Sequence, residues 1–388
     1  MPNIPEDWGN NFYKSGWQPG LEVNEQTGVG EITHVGTDPN YRNKFDSILQ
    51  EWGFNPKHYE IEGSVRASSW NVQLKGGRTE TFYAFKGIVK KKRPGHDKYF
   101  QQLFKQAKKK PPLKNKTLGG DTAFLFFMAD WQLGKRDFGV ENTIKRYDIA
   151  LQDAVNRIKD LRKTGVKIDE IYMIGLGDLT ENCYGFYDSQ PFNIELTMIE
   201  QYALARSMIM KTIETFIPHA DKLILAGCPG NHGEASRSQK GQVVTNRLDN
   251  TDTMHLQICE EIMKANPDRY KKVSVEIPDD FHQVMTIKNI PCAWTHGHMT
   301  GGSGNPENKI ENWWKGQMYG FLPAKDAKIL ITGHYHHFRS KQQGDRTWFQ
   351  SPSLDKSIDF TARTGMWSHP GVLTFTVNEK GWDNLKIL

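Results

Sequence analysis

Five short clusters in this chain carry side chains that can ligate metals or move protons, and each closes an apolar run. Asp130-Trp131-Gln132 follows the run 122–129, TAFLFFMA. The run 168–175 leads into Gly177-Asp178-Leu179-Thr180-Glu181-Asn182, and the run 222–227 into Gly230-Asn231-His232-Gly233-Glu234. His296-Gly297-His298 follows 291–295, and Gly333-His334-Tyr335-His336-His337 follows 328–332. Six of the 13 histidines fall in the last three clusters. Taken singly, each cluster has a plainer reading. An Asp after a strand usually caps a turn or a helix, and a Gly-His-x-His serves as readily on a surface as at a metal. Five in order, each at the end of an apolar run, go beyond capping. Carboxylate, carboxamide and imidazole donors together suit Mn²⁺, Fe, Zn or Ni.

The elements that must position these residues alternate in type. Between the first three apolar runs lie helical stretches at 141–163 and 192–216, which predicts an α/β core with a parallel sheet. Beyond 250 the pattern becomes strand-rich (272–277, 282–288, 291–295, 328–332, 346–350 and 371–377), with helices at 250–265 and 306–316. This predicts a layered α/β domain with two sheets over 121–388. In open α/β sheets ligands bind beyond the carboxyl ends of the strands, so five strand ends converge on one rim. Ahead of it, residues 1–93 read as a small α+β module. Phe45, Ile48, Leu49 and Trp52 have helical spacing within 42–52. Strands follow at 59–66 and 68–74, then a hairpin turn at 75–78 and an alternating strand. Residues 94–120 read as a basic linker with one helical stretch.

The ordered set of clusters from about 121 to 338 resembles the calcineurin-like metallophosphoesterase superfamily. That family's signature runs Asp-x-His, Gly-Asp-x-x-Asp, Gly-Asn-His-Asp/Glu, a lone His often followed by Gly, and Gly-His-x-His. The wording around Asp130–Lys135, Asn231–Glu234 and Ser351–Asp355 resembles bacteriophage-encoded members, which implies the host cytoplasm as location. The resemblance implies a two-sheet sandwich flanked by helices and two divalent ions, Mn²⁺ foremost. It puts Asp130, Gln132 and His336 on the first ion, Asp178 between both, and Asn231, His296 and His334 on the second. It implies that His232 faces the phosphate and protonates the leaving oxygen, with attack by a metal-bridging hydroxide. A carboxylate has the two oxygens a bridging ligand needs, and two ions roughly 3.5–4 Å apart clamp an in-line displacement at phosphorus. Two positions depart from the pattern. Gln132 replaces a His, a harder and neutral donor, and Glu181 replaces an Asp at a supporting position. Glu234 is expected to orient His232 or a neighbouring loop. His298 and Arg237 are expected beside metal or phosphate, and Lys135, Arg136 and Arg237 serve as phosphate contacts or solvated cations. Trp131 is read as packing, and Trp313 as structural or part of a mouth after the glycine-rich 301–304. The resemblance also allows a homodimer.

Composition narrows the substrate and the compartment. The chain has 388 residues and a net charge of +5. Residues 86–116 carry 12 Lys or Arg against one acid, Asp97, a local +11, so the rest sums to −6. Such a block solvates a linker or grips a polyanion, and Tyr99, Phe100 and Phe104 between the lysines suit base stacking. This favours a nuclease-like phosphodiesterase acting on nucleic acid. The alternatives are a phosphoesterase for nucleotides or cyclic nucleotides, and a non-catalytic scaffold on the same fold. Cys183, Cys228, Cys259 and Cys292 form no CxxC pair and read as buried thiols. No run approaches a membrane span and the start lacks a basic apolar signal, which predicts a cytoplasmic protein without membrane contact.

Overall fold

The computed structural model describes the chain apart from residues 1–12, 25–28, 41–43, 57–58, 74–76, 92–95, 114–116, 184, 235–245, 247, 301–303, 357, 359–360, 363–364 and 366. It divides into two compact units, Met1–Gly95 and His96–Leu388. The first is an antiparallel four-stranded sheet in the order β1 (Gly20–Asn24), β2 (Val29–Gly36), β4 (Thr79–Lys91), β3 (Tyr59–Gln73). The helix α1 (Phe45–Glu51) buries Ile48 and Leu49 against Ile32 and Val89. The two short strands expected at 59–74 are one strand, whose register shifts between Glu62 and Arg66. A bulge of this kind keeps a long strand paired while it bends.

The second unit begins with α2 (His96–Lys109), followed by β5 (Thr122–Met128), α3 (Val140–Lys163), β6 (Ile168–Gly175), α4 (Met198–Phe216) and β7 (Lys222–Gly227). After α5 (Thr251–Lys264), the one-turn α6 (Pro267–Tyr270) and β8 (Val273–Glu276), the chain enters β9 (His282–Ile287) and β10 (Ile290–Thr295). It ends with α7 (Pro306–Tyr319), β11 (Ile329–Thr332), β12 (Arg339–Gln343), β13 (Arg346–Gln350), β14 (Leu373–Asn378) and β15 (Gly381–Ile387). One sheet has the order β15-β14-β5-β6-β7-β8, with β5 to β8 parallel; the other is β12-β13-β11-β10-β9, with β10, β11 and β13 parallel.

Both faces of the first sheet are covered, which is why β5 reads as an unbroken apolar run. Leu125 and Phe127 point into the core between the sheets, against Trp294, Ile331, Phe349 and Phe375. Phe124, Phe126 and Met128 point the other way, into the core shared with α3, α4 and α5. On the far side of the second sheet, Ile310 and Trp314 of α7 pack with Leu330 and Trp348. The unit is therefore a two-sheet α/β sandwich flanked by helices, the fold class the sequence predicts.

Some boundaries differ from expectation. The helix expected at 192–216 starts only at Met198. Thr197 Oγ1 accepts the Glu200 N–H while the Glu200 carboxylate takes the Thr197 N–H, a capping box that fixes the start. Inside the expected linker, α2 buries Ala107 in the core of the second unit, and Asn266 Nδ2 donates to the carbonyls of Ala107 and Lys110 at 2.9 Å. Of the hairpin turn expected at 75–78, residues 75 and 76 lie outside the described residues, and Gly77 has a positive φ of 79°. Among the described residues, no helix is long and apolar enough to cross a membrane.

Candidate metal centre

The sheets hand their ladders on to the loops that follow them. Asp130 N–H donates to Gly177 O at 3.1 Å, Gln132 N–H to Asp178 O at 3.0 Å and Gly333 N–H to His296 O at 3.1 Å. The motif loops are thus tied side by side beyond the strand ends. Asp130, Gln132, Asp178, His334 and His336 all have left-handed backbone, with φ between 44° and 70°. Non-glycine residues rarely adopt it, and it persists where surroundings over-determine it, characteristically at functional sites. Two glycines make the approach feasible. A Cβ on Gly230 would lie 2.2 Å from Asp178 Oδ1, and one on Gly177 would lie 2.6 Å from the Gly230 backbone.

Among the described residues, one trio of His, Cys, Asp or Glu side chains has its ligand atoms all within 4.8 Å of one another: Asp178, His296 and His334. His296 is wholly buried. Its Nδ1 lies 2.7 Å from Leu176 O, and a carbonyl can only accept, so Nδ1 carries a hydrogen. Its Nε2 then faces three acceptors: Asp178 Oδ2 at 3.0 Å, Asn231 Oδ1 at 3.0 Å and His334 Nδ1 at 3.2 Å. A proton on Nε2 serves one of them; a divalent cation among the four serves all. Burial opposes charge on His296, but the Asp178 carboxylate prevails and lifts its pKa to about 9. Burial and the neighbouring His296 push His334 down to about 2, so its ring is neutral, with one nitrogen lone pair to give. Burial alone would raise Asp178, yet His296 and His232 hold it well below the usual carboxylate range. The donors therefore fit a resident divalent ion.

The other half of the rim joins this trio through His334, whose N–H reaches Asp130 Oδ2 at 3.1 Å. His336 Nε2 lies 3.4 Å from Asp130 Oδ1. Burial lowers the pKa of His336 and Asp130 more than restores it. Gln132 stands at the edge of this half, and its amide oxygen accepts from Lys135 Nζ at 3.1 Å. The same ammonium is 2.8 Å from Asp355, with 13% of the Lys135 side chain and 2% of the Asp355 side chain exposed. Lys135 is thus no solvated cation. A cation already occupies one side of the Gln132 oxygen.

His232 is held from three sides. Its N–H donates to Asp178 Oδ1 at 2.8 Å, its Nδ1 to Glu181 O at 2.8 Å, and its ring stacks on Phe186 at 4.5 Å. With the hydrogen on Nδ1, Nε2 is left to meet a substrate. The Glu181 carboxylate is also within 3.4 Å of Nδ1, and Tyr187 donates its hydroxyl to it at 2.6 Å. Burial raises the pKa of Glu181, against the pull of His232 and Lys135. Glu234 contacts His298, at 3.4 Å, within the neighbouring loop. Arg136 donates to Phe192 O and Ile194 O, so it fastens a loop. Trp131 is fully buried with its ring edge-on to Tyr147. Arg237 lies outside the described residues.

Sequence reasoning missed Asp252. This buried carboxylate at the start of α5 accepts the N–H groups of Asp178 (3.0 Å), Leu179 (3.1 Å) and Gly230 (2.9 Å), so it fastens two motif loops at once. Burial and the nearby Asp178 push its pKa up to about 6, against those donors. Its only sequence signal is Asn250-Thr-Asp at a helix start, which is indistinguishable from an ordinary cap. Asn250 does cap α5, through the Asp252 N–H at 2.9 Å, and its own amide holds Gly230 O at 2.7 Å.

No protein-family model matches the chain, and no curated protein matches it. Among solved structures, a novel archaeal phosphodiesterase aligns at 12% identity over 68% of this chain and 99% of its own, with a TM-score of 0.31. A predicted phosphoesterase from Streptococcus pneumoniae TIGR4 aligns at 11% identity over 69% and 89%, TM-score 0.29. Vacuolar Protein Sorting 29 from Cryptosporidium parvum aligns at 11% over 69% and 97%, TM-score 0.30.

Proposed function

We propose that this chain is a metal-dependent phosphoesterase of the calcineurin-like kind that hydrolyses phosphodiesters with two divalent ions, Mn²⁺ foremost, and acts on nucleic acid. The observation that carries the reading is the convergence of Asp178, Asn231 and His334 on the Nε2 of His296. Asp178, Asn231, His296 and His334 would hold one ion, and Asp130 and His336 the other, with Gln132 beside it. Divalent ions there would polarise a phosphoryl oxygen and acidify a bound water. The chain's own part is positional. Asp252 and the two glycines keep the loops in register, and the buried sheet ends exclude bulk water. His232, fixed through Nδ1, would act as the imidazolium, with a hydrogen on Nε2 as well, and hand that second proton to the departing oxygen.

Support for a polyanionic substrate comes from α2. Lys105, Lys108 and Lys109 lie exposed on a helix whose Leu103 and Ala107 face the core. Other cations of the basic segment are already paired, Lys86 with Glu31 and Lys110 with Glu214. The test is a panel on metal-stripped protein with Mn²⁺ restored: bis-p-nitrophenyl phosphate, p-nitrophenyl phosphate, and end-labelled single- and double-stranded DNA and RNA. The reading expects salt-sensitive cleavage of nucleic acid, with His232→Ala reducing turnover by about 10²- to 10⁴-fold at unchanged metal content. Diester turnover with nucleic acid untouched would replace it with a small-molecule phosphodiesterase. Silence on every substrate with metal bound would leave a scaffold.

A further inference from the structure

A cavity of about 220 Å³ opens beside the candidate metal centre, between the start of β9, the loop after β10 and α7. Its lining includes Phe281, His282, Met299, Thr300, Trp313 and Gln317. The cavity is one aromatic ring away from the metal ligands. The Phe281 ring meets that of His298 at 5.6 Å, and His298 lies 5.3 Å from His296 and 6.2 Å from His334. Thr295, the residue before His296, lines it too, and its hydroxyl holds Phe281 O at 3.0 Å. A ligand anchored by phosphate at the metals therefore has this cavity as its neighbour.

The walls define the occupant. Trp313 stands edge-on to His282 at 5.6 Å, so indole, imidazole and phenyl surfaces gather in one recess. Met299, 50% exposed, and Leu322, 45% exposed, leave apolar surface at the opening. Polar groups share the lining: Gln317 is buried with its amide oxygen on the Ala324 N–H, and the Thr300 hydroxyl is tied to Gly297 O at 2.7 Å. Beyond these contacts the threonine oxygens can still accept and the Gln317 amide can still donate, and a purely alkyl occupant would use neither. The volume falls below the roughly 300–1,000 Å³ of pockets for drug-sized ligands, so it suits a single ring system. A flat group with an apolar face and a hydrogen-bonding edge suits these walls, and Asp280, which also lines the cavity, adds a carboxylate that can accept from an N–H on that edge.

We propose that this cavity binds the nucleobase of a nucleotide or nucleic-acid substrate whose phosphate lies at the candidate metal centre. The inference rests on the phosphoesterase reading. Stacking on Trp313 and Phe281 supplies affinity that tolerates different bases, since every base has a π-face.

The test measures binding, separately from turnover. Titration calorimetry on the Mn²⁺-loaded His232→Ala chain compares adenosine 5′-monophosphate with ribose 5-phosphate. The base should tighten binding at least about tenfold, and Trp313→Ala should erase the difference while ribose 5-phosphate binds as before. Met299→Ala, at a half-exposed position, removes a second wall without endangering the fold and should weaken the adenosine nucleotide alone severalfold. Equal affinity for both ligands, or a preference that survives both substitutions, would overturn the proposal, as would failure of both ligands to bind. Hydrolysis of bis-p-nitrophenyl phosphate by the unsubstituted protein reports on the phosphoesterase reading independently, so one can fail while the other stands.

Discussion

At the scale of single residues, His296 is the centre of the site, with Asp178, Asn231 and His334 all gathered on its Nε2. Without metal its pKa lies at about 9, above its ordinary value, so between about pH 6.5 and 9 the metal-free protein holds a proton there. That proton stabilises the metal-free fold fully below about pH 6.5, and the contribution is lost as pH rises through about 9. Metal must displace it. Uptake at pH 7.5 should therefore release about one proton per ion at this position, read by calorimetry in buffers of different ionisation enthalpy. Heat independent of the buffer would contradict the assignment. Lys135 makes a second prediction. Its ammonium sits on the Gln132 oxygen at 3.1 Å and repels a dication in the Asp130–His336 half. On the proposed two-ion reading the ions should bind unequally, and Lys135→Met should tighten the weaker one, as counted by metal analysis after dialysis at graded Mn²⁺. Unchanged binding would show that Asp355 already neutralises the lysine.

At the scale of elements, the loops rather than the strands decide the geometry, and Asp252 is their common fastening. Asp252→Ala strands three buried N–H groups, at about 1–3 kcal/mol each. It should lower stability by at least about 3 kcal/mol in denaturant unfolding and weaken metal uptake as well. Loss of neither would mean the loops hold themselves. Gly230→Ala should abolish uptake while leaving the helical circular dichroism intact, because its methyl would overlap Asp178 Oδ1. The elements differ in how far the sequence reveals them. Runs buried on both faces, such as β5 and β6, announce themselves. The edge strands β12 (RSKQQ) and β15 (GWDNLKI) do not, since their exposed faces carry polar residues and only pairing with β13 and β14 makes them strands. The site shows the same split. Asp130, Asp178, His296 and His334 are visible as clusters after apolar runs. Asp252 and the Lys135–Asp355 pair, 220 residues apart, exist only once the chain is folded.

At the scale of the whole molecule, the positive charge is concentrated in one stretch of sequence, 86–116. The basic segment 86–116 spans the end of β4 and the start of the second unit, where Lys105, Lys108 and Lys109 of α2 lie exposed. Neutralising Lys105, Lys108 and Lys109 together should weaken nucleic-acid binding and flatten its dependence on salt by about 2–3 in slope, leaving bis-p-nitrophenyl phosphate turnover unaffected. An unchanged slope would remove α2 from the interface. The most direct test of the central claim is the Mn²⁺ dependence of bis-p-nitrophenyl phosphate hydrolysis by the stripped protein, beside Asp178→Asn. The account predicts no turnover without metal, turnover restored by Mn²⁺, and a loss of at least about 10²-fold in Asp178→Asn with the fold intact. Hydrolysis indifferent to metal or to Asp178, or a chain that binds Mn²⁺ and hydrolyses nothing, would contradict it.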